Sequence, residues 1–480
     1  MRALVVTSIG VACAGALLLP LAPTESADSM LSDKHSTPSE DAVPPAARAP
    51  GSGRIVPGHT QSLPLGTPAD STRSGDKLLS AWEDDPSGGR RVVSRKVKPF
   101  ALVGVVWDDP RAIPRGRLQV QARDADTRRW SDWRSLNTRS DHGPGPDSKE
   151  GSTARGKPLG ATAPLWVGNS SALRVRIVPT PVSPKTTGSS QRQVGKAELP
   201  AGARLELVDP GAEVGTGETR KPGDVQRHRP QTGKPPREDG PADRPGGTLP
   251  ALTRAQTNAT YGDDAAKATP SRSDRAEDAH IGPRPEIITR KGWGADESMR
   301  EADFSYTGPT KAAFVHHSAE TNGYSCAEVP SIIRGIYRYH VKSSRWRDIG
   351  YNFLVDKCGK IYEGRAGGVA KPVMGAHTFG FNEDSTGIAL LGTYSKTDAP
   401  KAATDALSKL TAWKLGVHGV DASGKVTLTS GGGSKHRKGT RVVFNAVSGH
   451  RDGFSTECPG ERLYNELPAI RTEAGRLQGR

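Results

Sequence analysis

Apolar side chains are scarce in this 480-residue chain: the set AVILMFWYC makes up only 34% of the residues, and aromatic residues make up only 5%. A shortage of this size excludes one continuous hydrophobic core over the whole length. Heptads and a collagen repeat are also missing, which excludes a long coiled coil and a fibrous protein. With 56 glycines and 38 prolines, the chain is predicted to hold two folded units joined by long solvated connectors.

Long hydrophobic runs are missing except at the N-terminus, where Arg2 precedes an apolar segment from Ala3 to Leu19. A short positive start followed by such a segment is typical of a secretory signal, which we place at 1–27. A retained membrane anchor is the alternative, because the run is close to the minimum length of a transmembrane helix. We therefore expect an exported protein whose contact with the membrane is limited to this signal.

Acidic residues are outnumbered, since 52 Asp and Glu face 67 Lys and Arg, and the formal net charge is +15. A basic protein of this kind is attracted to polyanions, among them nucleic acid, anionic membranes and the bacterial wall. Nucleic-acid binding is not expected, because we find no stacking-aromatic or recognition-helix motif beside a basic cluster.

Local composition divides the rest of the chain into four segments. Alternating apolar residues such as Leu118, Val120 and Ala122 have the period of half-buried strands, whereas other stretches are rich in Pro, Gly, Ser and Thr. The predicted segments are a disordered tether at 28–76, a β-sandwich-like accessory domain at 77–211, a disordered linker at 212–284 and an α/β domain at 285–480.

Periodicity within the last segment predicts strands interspersed with helices, the pattern of an α/β domain. The predicted strands are 312–316, 351–355, 387–391 and 442–447. The predicted helices are one around 329–337, with Pro330 in its first turn, and two at 402–415 and 461–476.

Cysteine counting locates the chemistry. Cys13 leaves with the export signal, so three cysteines remain in an oxidising compartment, and an odd number asks for one disulfide and one thiol with another task. His450 comes shortly after the predicted strand 442–447, and Cys458 follows His450 after a seven-residue loop. Imidazole and thiolate are good zinc ligands. A third ligand is available in the pair His316 and His317, of which only one can face the metal, because successive strand residues point to opposite sides.

Two disulfide assignments follow from this count. If Cys458 binds metal, Cys326 and Cys358 form the disulfide. The alternative is that Cys458 is paired and that one of the other two cysteines is free. Three protein ligands would leave one tetrahedral position open, which is the arrangement of a catalytic zinc site.

Six ordered motifs lie between residues 285 and 480. They are Ile287-Ile-Thr-Arg-Lys-Gly-Trp-Gly-Ala295, Phe314-Val-His-His-Ser318, Asp348-Ile-Gly-Tyr-Asn-Phe-Leu-Val355, Ile361-Tyr-Glu-Gly-Arg365, Gly375-Ala-His-Thr-Phe-Gly-Phe-Asn382, and Gly449-His-Arg-Asp452 with Thr456-Glu-Cys-Pro-Gly460. This ordered set resembles the peptidoglycan recognition protein family, which includes zinc amidases related to amidase-type phage lysozymes. The preceding domain is similar to the accessory domain of secreted actinobacterial amidases, with Trp130-Ser-Asp-Trp133 among the matching residues. The resemblance implies a mixed central sheet flanked by helices.

The resemblance also implies roles for individual residues. His316, His450 and Cys458 match the ligands of one zinc ion. Tyr351 matches the tyrosine beside the metal, and Thr456 takes the position of a family Lys or Thr that stabilises the oxyanion. His377 and Asn382 match positions that line the substrate groove.

Together with the export signal, the resemblance implies a secreted, wall-associated zinc hydrolase that cleaves the amide between N-acetylmuramic acid and L-alanine in peptidoglycan. Zinc lowers the pKa of a bound water toward about 7 and polarises a carbonyl, which suits amide hydrolysis. The alternative is a non-catalytic peptidoglycan-binding module, since family members without the metal cysteine bind but do not cut. Cys458 and Tyr351 favour the enzyme.

Peptidoglycan is the predicted partner, with anionic wall polymers as a second one, and a monomer is expected. Four tryptophans of the accessory domain are open to two interpretations. They either line a glycan-binding face or, as we prefer, belong to its core. These residues are Trp107, Trp130, Trp133 and Trp166.

Overall fold

The computed structural model describes residues 55–65, 83–84, 90–94, 97–138, 143–145, 148–151, 153, 155–179, 197–213, 247–268 and 280–480. The predicted export signal at 1–27 and most of the predicted tether and linker lie outside these residues. Among the helices that are described, none is long and apolar enough to cross a membrane.

Eleven short strands in the described part of the chain build an all-β unit, here called the N-terminal domain. They are β1 (Ile55–Val56), β2 (His59–Pro64), β3 (Glu83–Asp84), β4 (Arg90–Ser94), β5 (Phe100–Trp107), β6 (Arg117–Asp124), β7 (Arg134–Ser135), β8 (Gly160–Ala161), β9 (Leu165–Val178), β10 (Arg204–Asp209) and β11 (Ala212–Glu213). The main sheet is antiparallel, with β5 between β10 and β9. Every residue of β5 is buried, because both its faces are apolar. The predicted all-β fold is confirmed.

The predicted tether boundary is wrong at its C-terminal end. Strand β2 lies inside 28–76 but pairs with β10 along its whole length, and Leu63 and Leu65 are buried in the domain core. Few apolar residues mark this strand, so composition alone did not reveal it. Its order comes from backbone pairing with a buried neighbour.

In the part of the chain that the structure describes, the C-terminal domain is built on a seven-stranded sheet. Its strands lie side by side in the order β12-β13-β16-β15-β17-β14-β20. These strands are β12 (Thr248–Leu249), β13 (Ile287–Ile288), β14 (Ala312–His317), β15 (Phe353–Val355), β16 (Ile361–Glu363), β17 (Ser385–Leu390) and β20 (Val447–Gly449), while β18 (Lys425–Thr429) and β19 (Arg441–Asn445) form a separate hairpin. Strands β15, β17, β14 and β20 pair in parallel, whereas β16 is antiparallel to β15. The predicted mixed sheet is confirmed.

Helices cover both faces of this sheet. They are α1 (Arg254–Ala268), α2 (Val329–Arg338), α3 (Lys401–Val417), α4 (His450–Gly453) and α5 (Glu461–Gln478). Helices α1, α3 and α5 share one apolar cluster with strand residues such as Val315 and Ile388. The apolar stripe of α2, including Ile332 and Ile336, packs in a second cluster with Leu354 and Ala389. The predicted helices are confirmed, with ends shifted by one or two residues.

The predicted linker is wrong for its last part, because α1 and β12 lie inside 212–284. Helix α1 has no apolar stripe, and its order comes from tertiary contacts. The ring of Tyr261 meets Trp413 edge to face at 5.9 Å, and the Arg284 guanidinium donates a hydrogen bond to the Tyr261 hydroxyl at 3.0 Å. A polar helix of this kind depends on docking rather than on its own pattern.

The two domains share one hydrophobic cluster. Leu102, Val106 and Trp166 of the N-terminal domain pack in the same cluster as Ile333 and Tyr339. Polar contacts accompany this packing, since the Ser343 hydroxyl donates to the buried Glu206 carboxylate at 2.9 Å. Burial raises the pKa of Glu206. The expected pair of separately folded units is thus joined by an interface that resembles a domain core.

The four tryptophans of the N-terminal domain divide into two pairs. Trp107 and Trp166 are buried, as the core interpretation predicts. Trp130 and Trp133 are only partly buried, and the Arg174 and Arg176 guanidinium groups each lie 4.1 Å from the centroid of one of these rings. The core interpretation is therefore confirmed for the first pair and wrong for the second.

A buried group of charges at the end of strand β16 predicts a pH effect on stability. Glu363 accepts a hydrogen bond from the Arg290 backbone N–H at 3.1 Å, and its burial raises the pKa of the carboxyl to about 7, although Arg290 opposes the shift. The folded chain therefore holds this proton more tightly than the unfolded chain, so stability should fall as pH rises from about 4.5 to 7.

We expect Glu363→Gln to remove this part of the pH dependence, because the amide oxygen can still accept from Arg290 and carries no charge. Between pH 5 and pH 8 the wild type should lose on the order of 1 to 3 kcal/mol of unfolding free energy relative to the variant. Chemical denaturation of both proteins across this range measures the difference. A difference in unfolding free energy between the two proteins that does not change with pH would contradict the assignment of this effect to Glu363.

Candidate metal centre and its cleft

Two histidines are brought together by parallel strand pairing. Strands β14 and β20 are neighbours, with Val315 opposite Gly449. The residues that follow, His316 and His450, therefore stand side by side at the same edge of the sheet. Their ring centroids are 4.4 Å apart, and both side chains are fully buried.

Cys458 completes the group. Helix α4 turns the chain back after β20, and the Arg451 backbone N–H donates to the Cys458 carbonyl at 2.9 Å. The Cys458 Sγ lies 3.8 Å from His316 Nδ1, and the donor atoms of His316, His450 and Cys458 lie within 4.8 Å of one another. The structure thus assembles the three residues that the sequence predicts as ligands.

These donors fit a zinc ion. Two imidazole nitrogens and one sulfur, all buried, form a typical zinc ligand set with one coordination position left over. The His317 backbone N–H points to Cys458 Sγ at 3.4 Å, which favours the thiolate that zinc requires. Cys458 is a free cysteine, and Cys326 is bonded to Cys358, so the alternative pairing of Cys458 is wrong.

The two adjacent histidines face opposite ways, as predicted. His316 turns toward Cys458, whereas His317 Nδ1 accepts a hydrogen bond from the Tyr394 backbone N–H at 3.4 Å. A strand places consecutive side chains on opposite faces, so only His316 reaches the metal centre.

His377 lies behind His316 and is fully buried. The His377 Nδ1 atom is 3.3 Å from His316 Nε2 and 3.0 Å from the Thr378 hydroxyl. The contact at Nε2 orients the His316 ring so that its own Nδ1 faces Cys458. Outer contacts of this kind orient a metal ligand. A Cβ on Gly387 would lie 2.2 Å from His377 Cγ, so glycine leaves the space that this ring fills. A groove-lining role for His377 stays a prediction.

The remaining predicted residues surround this centre. The Tyr351 ring lies 5.5 Å from the His316 ring. The Thr456 hydroxyl accepts a hydrogen bond from the Cys458 backbone N–H at 3.1 Å, which shapes the ligand loop. The Asn382 amide oxygen accepts from the backbone N–H groups of His377 and Thr378, each at 2.8 Å. Catalysis by Tyr351 and Thr456 and substrate contact by Asn382 stay predictions.

A cavity of about 500 Å³ opens beside the centre, with Tyr351 in its wall. Other wall residues of the C-terminal domain were missed by sequence reasoning, namely Tyr339, His340, Trp346, Phe379 and Phe454. His340 stacks on Trp346 with ring centroids 4.2 Å apart. No local pattern marks these residues, because they converge from a helical turn at Tyr339–Ser343 and from separate loops. Further wall residues come from the N-terminal domain, and the sequence did not predict this contribution.

Two segments of the chain match known protein families. Residues 306–461 match the family described as N-acetylmuramoyl-L-alanine amidase, and residues 50–199 match the family described as Rv3811 N-terminal galactose-binding domain-like. Peptidoglycan-recognition protein SC2 of Drosophila simulans is 31% identical over 181 residues, which is 38% of this chain and 84% of that protein. A peptidoglycan recognition protein of Trichoplusia ni is also 31% identical, over 38% of this chain and 85% of its own.

A solved structure is similar as well. It is peptidoglycan recognition protein-LE in complex with tracheal cytotoxin, a monomeric diaminopimelic acid-type peptidoglycan. The identity is 29%, the match covers 38% of this chain and 92% of that one, and the TM-score is 0.31.

Proposed function

Since this chain belongs to the peptidoglycan recognition protein family, we propose that it is a zinc-dependent N-acetylmuramoyl-L-alanine amidase that hydrolyses the bond between muramic acid and the stem peptide. One observation carries the proposal. The donor atoms of His316, His450 and Cys458 lie within 4.8 Å of one another, in a ligand set that suits zinc and beside a cleft that Tyr351 lines. A module that only recognises peptidoglycan has no need of a complete ligand set.

Different residues of this chain have different roles in the proposed reaction. His316, His450 and Cys458 would hold the ion, and a zinc ion bound there would supply Lewis-acid activation of water and of the scissile carbonyl. Tyr351, whose ring lies 5.5 Å from that of His316, would donate a hydrogen bond to the developing oxyanion. His377 and Thr378 keep His316 oriented, and the aromatic cleft wall excludes water from the amide.

We also propose that the protein acts outside the cytoplasm, as a monomer on the wall. The disulfide between Cys326 and Cys358 supports an oxidising compartment, and the net charge of +15 supports attraction to anionic wall polymers as well as to peptidoglycan.

The test is metal-dependent release of L-alanine amino termini from purified peptidoglycan. The full chain should release amines when loaded with zinc, lose at least about a hundredfold of this rate after chelation, and recover it when zinc is returned. Sedimentation with the same peptidoglycan is measured in parallel. Undiminished sedimentation without amine release, in a preparation containing one zinc per chain, would support the recognition module instead.

A further inference from the structure

We propose that the N-terminal domain forms a fixed wall of the substrate cleft, and that Arg111 and Ile113 on this wall bind the peptide stem of the substrate. The inference rests on the proposed function for the identity of that substrate. It assigns to the N-terminal domain a part in substrate binding.

The cleft runs between the two domains. Tyr351 and Trp346 line it from the C-terminal domain, while Ile113, Leu159 and Pro164 line it from the N-terminal domain. Tyr351 and Phe454 line the cavity on the side of the metal centre. Their rings lie 5.5 and 6.0 Å from the rings of His316 and His450, so the cavity lies beside the centre. A substrate that approaches the centre through this cleft would therefore have atoms against the N-terminal domain.

This wall is held in place by buried contacts. The Tyr339 hydroxyl hydrogen-bonds to the carbonyls of Val105 and Thr162, at 3.2 and 3.1 Å, and Thr162 itself lines the cleft. Across the same interface, the buried Arg365 guanidinium pairs with the buried Glu150 carboxylate. A movable lid would expose these groups to water on each opening, so the packing favours a permanent wall over a cover that swings away.

One side chain links the wall to the metal centre. The Asn382 amide donates a hydrogen bond to the carbonyl of Gly143, a residue of the N-terminal domain that lines the cleft, at 3.2 Å. Its oxygen holds the backbone of His377, whose ring contacts His316. The position of the wall and the orientation of the ligand shell are thus set by the same contacts.

The loop that presents Arg111 and Ile113 has a fixed backbone and open side chains. The Trp107 indole N–H donates to the Ala112 carbonyl at 3.0 Å, and the Arg111 backbone N–H donates to Asp109 at 2.9 Å. Ile113 is nevertheless 63% exposed. Among the residues that the structure describes, none forms a hydrogen bond or ion pair with the Arg111 guanidinium. An ordered loop that presents a guanidinium group and an exposed aliphatic side chain to the cleft is preorganised for a ligand.

The chemistry of the two side chains selects the ligand class. An aliphatic surface beside a guanidinium suits a peptide that has small apolar side chains and free carboxylates. The stem peptide of peptidoglycan has both, whereas the repeating part of the glycan is neutral apart from the substituted lactyl group. We therefore assign this wall to the peptide stem rather than to the sugar chain.

The test uses the full-length, zinc-loaded chain and two probes: an N-acetylmuramoyl pentapeptide with free carboxylates, and the same compound with its carboxylates amidated. The variants are Arg111→Gln and Ile113→Ser. Matched controls are Arg115→Gln, a nearby arginine with 79% side-chain exposure, and Val443→Ser, an aliphatic residue with 65% exposure on a hairpin. Kd is measured by calorimetry, and KM and kcat are measured by amine release.

Arg111→Gln should raise KM and Kd for the acid probe about three- to tenfold, as expected for the loss of a charge-assisted hydrogen bond. The kcat should stay within about twofold, and the preference for the acid over the amide probe should disappear together with most of its salt dependence. Ile113→Ser should weaken both probes by a similar factor. The two control variants should match the wild type.

Unchanged KM and Kd in both variants, in a wild type that binds and cleaves, would overturn this inference and leave the proposed function intact. A wild type that binds without cleaving would overturn the proposed function, and the Kd comparison would still decide the present inference. A wild type that binds neither probe would overturn both.

Discussion

Replacing Cys458 by serine is expected to remove zinc from the protein and amidase activity with it. Serine keeps the shape of the side chain, but its hydroxyl does not ionise near neutral pH and is a poor zinc ligand. Cys458 is 2% exposed and its Sγ lies 3.8 Å from His316 Nδ1, so water cannot easily replace the sulfur. Losing a contact outside the ligand shell typically costs about 10–100-fold in metal affinity, so losing a ligand should cost at least a hundredfold.

Zinc content after dialysis and amine release from peptidoglycan measure the two effects. Cys458→Asp is the matched control, because a carboxylate can still ligate zinc and should retain part of the metal. Thermal unfolding of the apo proteins separates metal loss from misfolding. Full zinc content and full activity in Cys458→Ser would refute the ligand assignment and, with it, the proposed mechanism.

The second large effect concerns the buried ion pair between the domains. Arg365 and Glu150 are 5% and 1% exposed in their side chains, and Arg365 also donates to the Ile349 carbonyl at 2.8 Å. Arg365→Met alone would leave Glu150 as a buried, uncompensated carboxylate, and Glu150→Leu alone would leave a buried guanidinium. Each single variant should lose about 3–5 kcal/mol of unfolding free energy.

The double variant is expected to lose at least about 2 kcal/mol less than the sum of the two single losses, because no unpaired charge remains. Equilibrium denaturation, followed by tryptophan fluorescence and circular dichroism, measures all three. The exposed pair Lys401 and Asp405 provides a control cycle, in which neutral substitutions should change stability little. Strict additivity of the Arg365 and Glu150 losses would contradict direct coupling between the domains.

Much of the metal centre was predictable because its signals are local in the chain. The spacing from His450 to Cys458 and the odd number of cysteines both point to a ligand role, and strand alternation requires one of the two adjacent histidines to face the metal. The support behind His316 was not predictable in the same way. His377 was matched to a groove-lining position, and the sequence did not predict that its ring is fully buried against His316, in space that Gly387 leaves open.

Segments without an apolar pattern were predicted least well. Strand β2 and helix α1 were assigned to tether and linker, because few of their side chains are apolar. Their order comes from pairing with β10 and from the contact of Tyr261 with Trp413. Backbone pairing and docking onto an existing surface leave little trace in composition.

The sequence by itself determined the strands and helices that carry an apolar pattern, the family, and the three residues that the structure brings together at the candidate metal centre. Hydrophobic periodicity depends on neighbours along the chain, and His316 and His450 lie at the ends of strands that this pattern reveals. Only the tertiary structure decided that Leu102 and Trp166 pack with Ile333 in one core, and that Arg111 and Ile113 face the cleft. The reason is physical: an interface joins surfaces that are distant in the chain, and no periodicity records which surfaces meet.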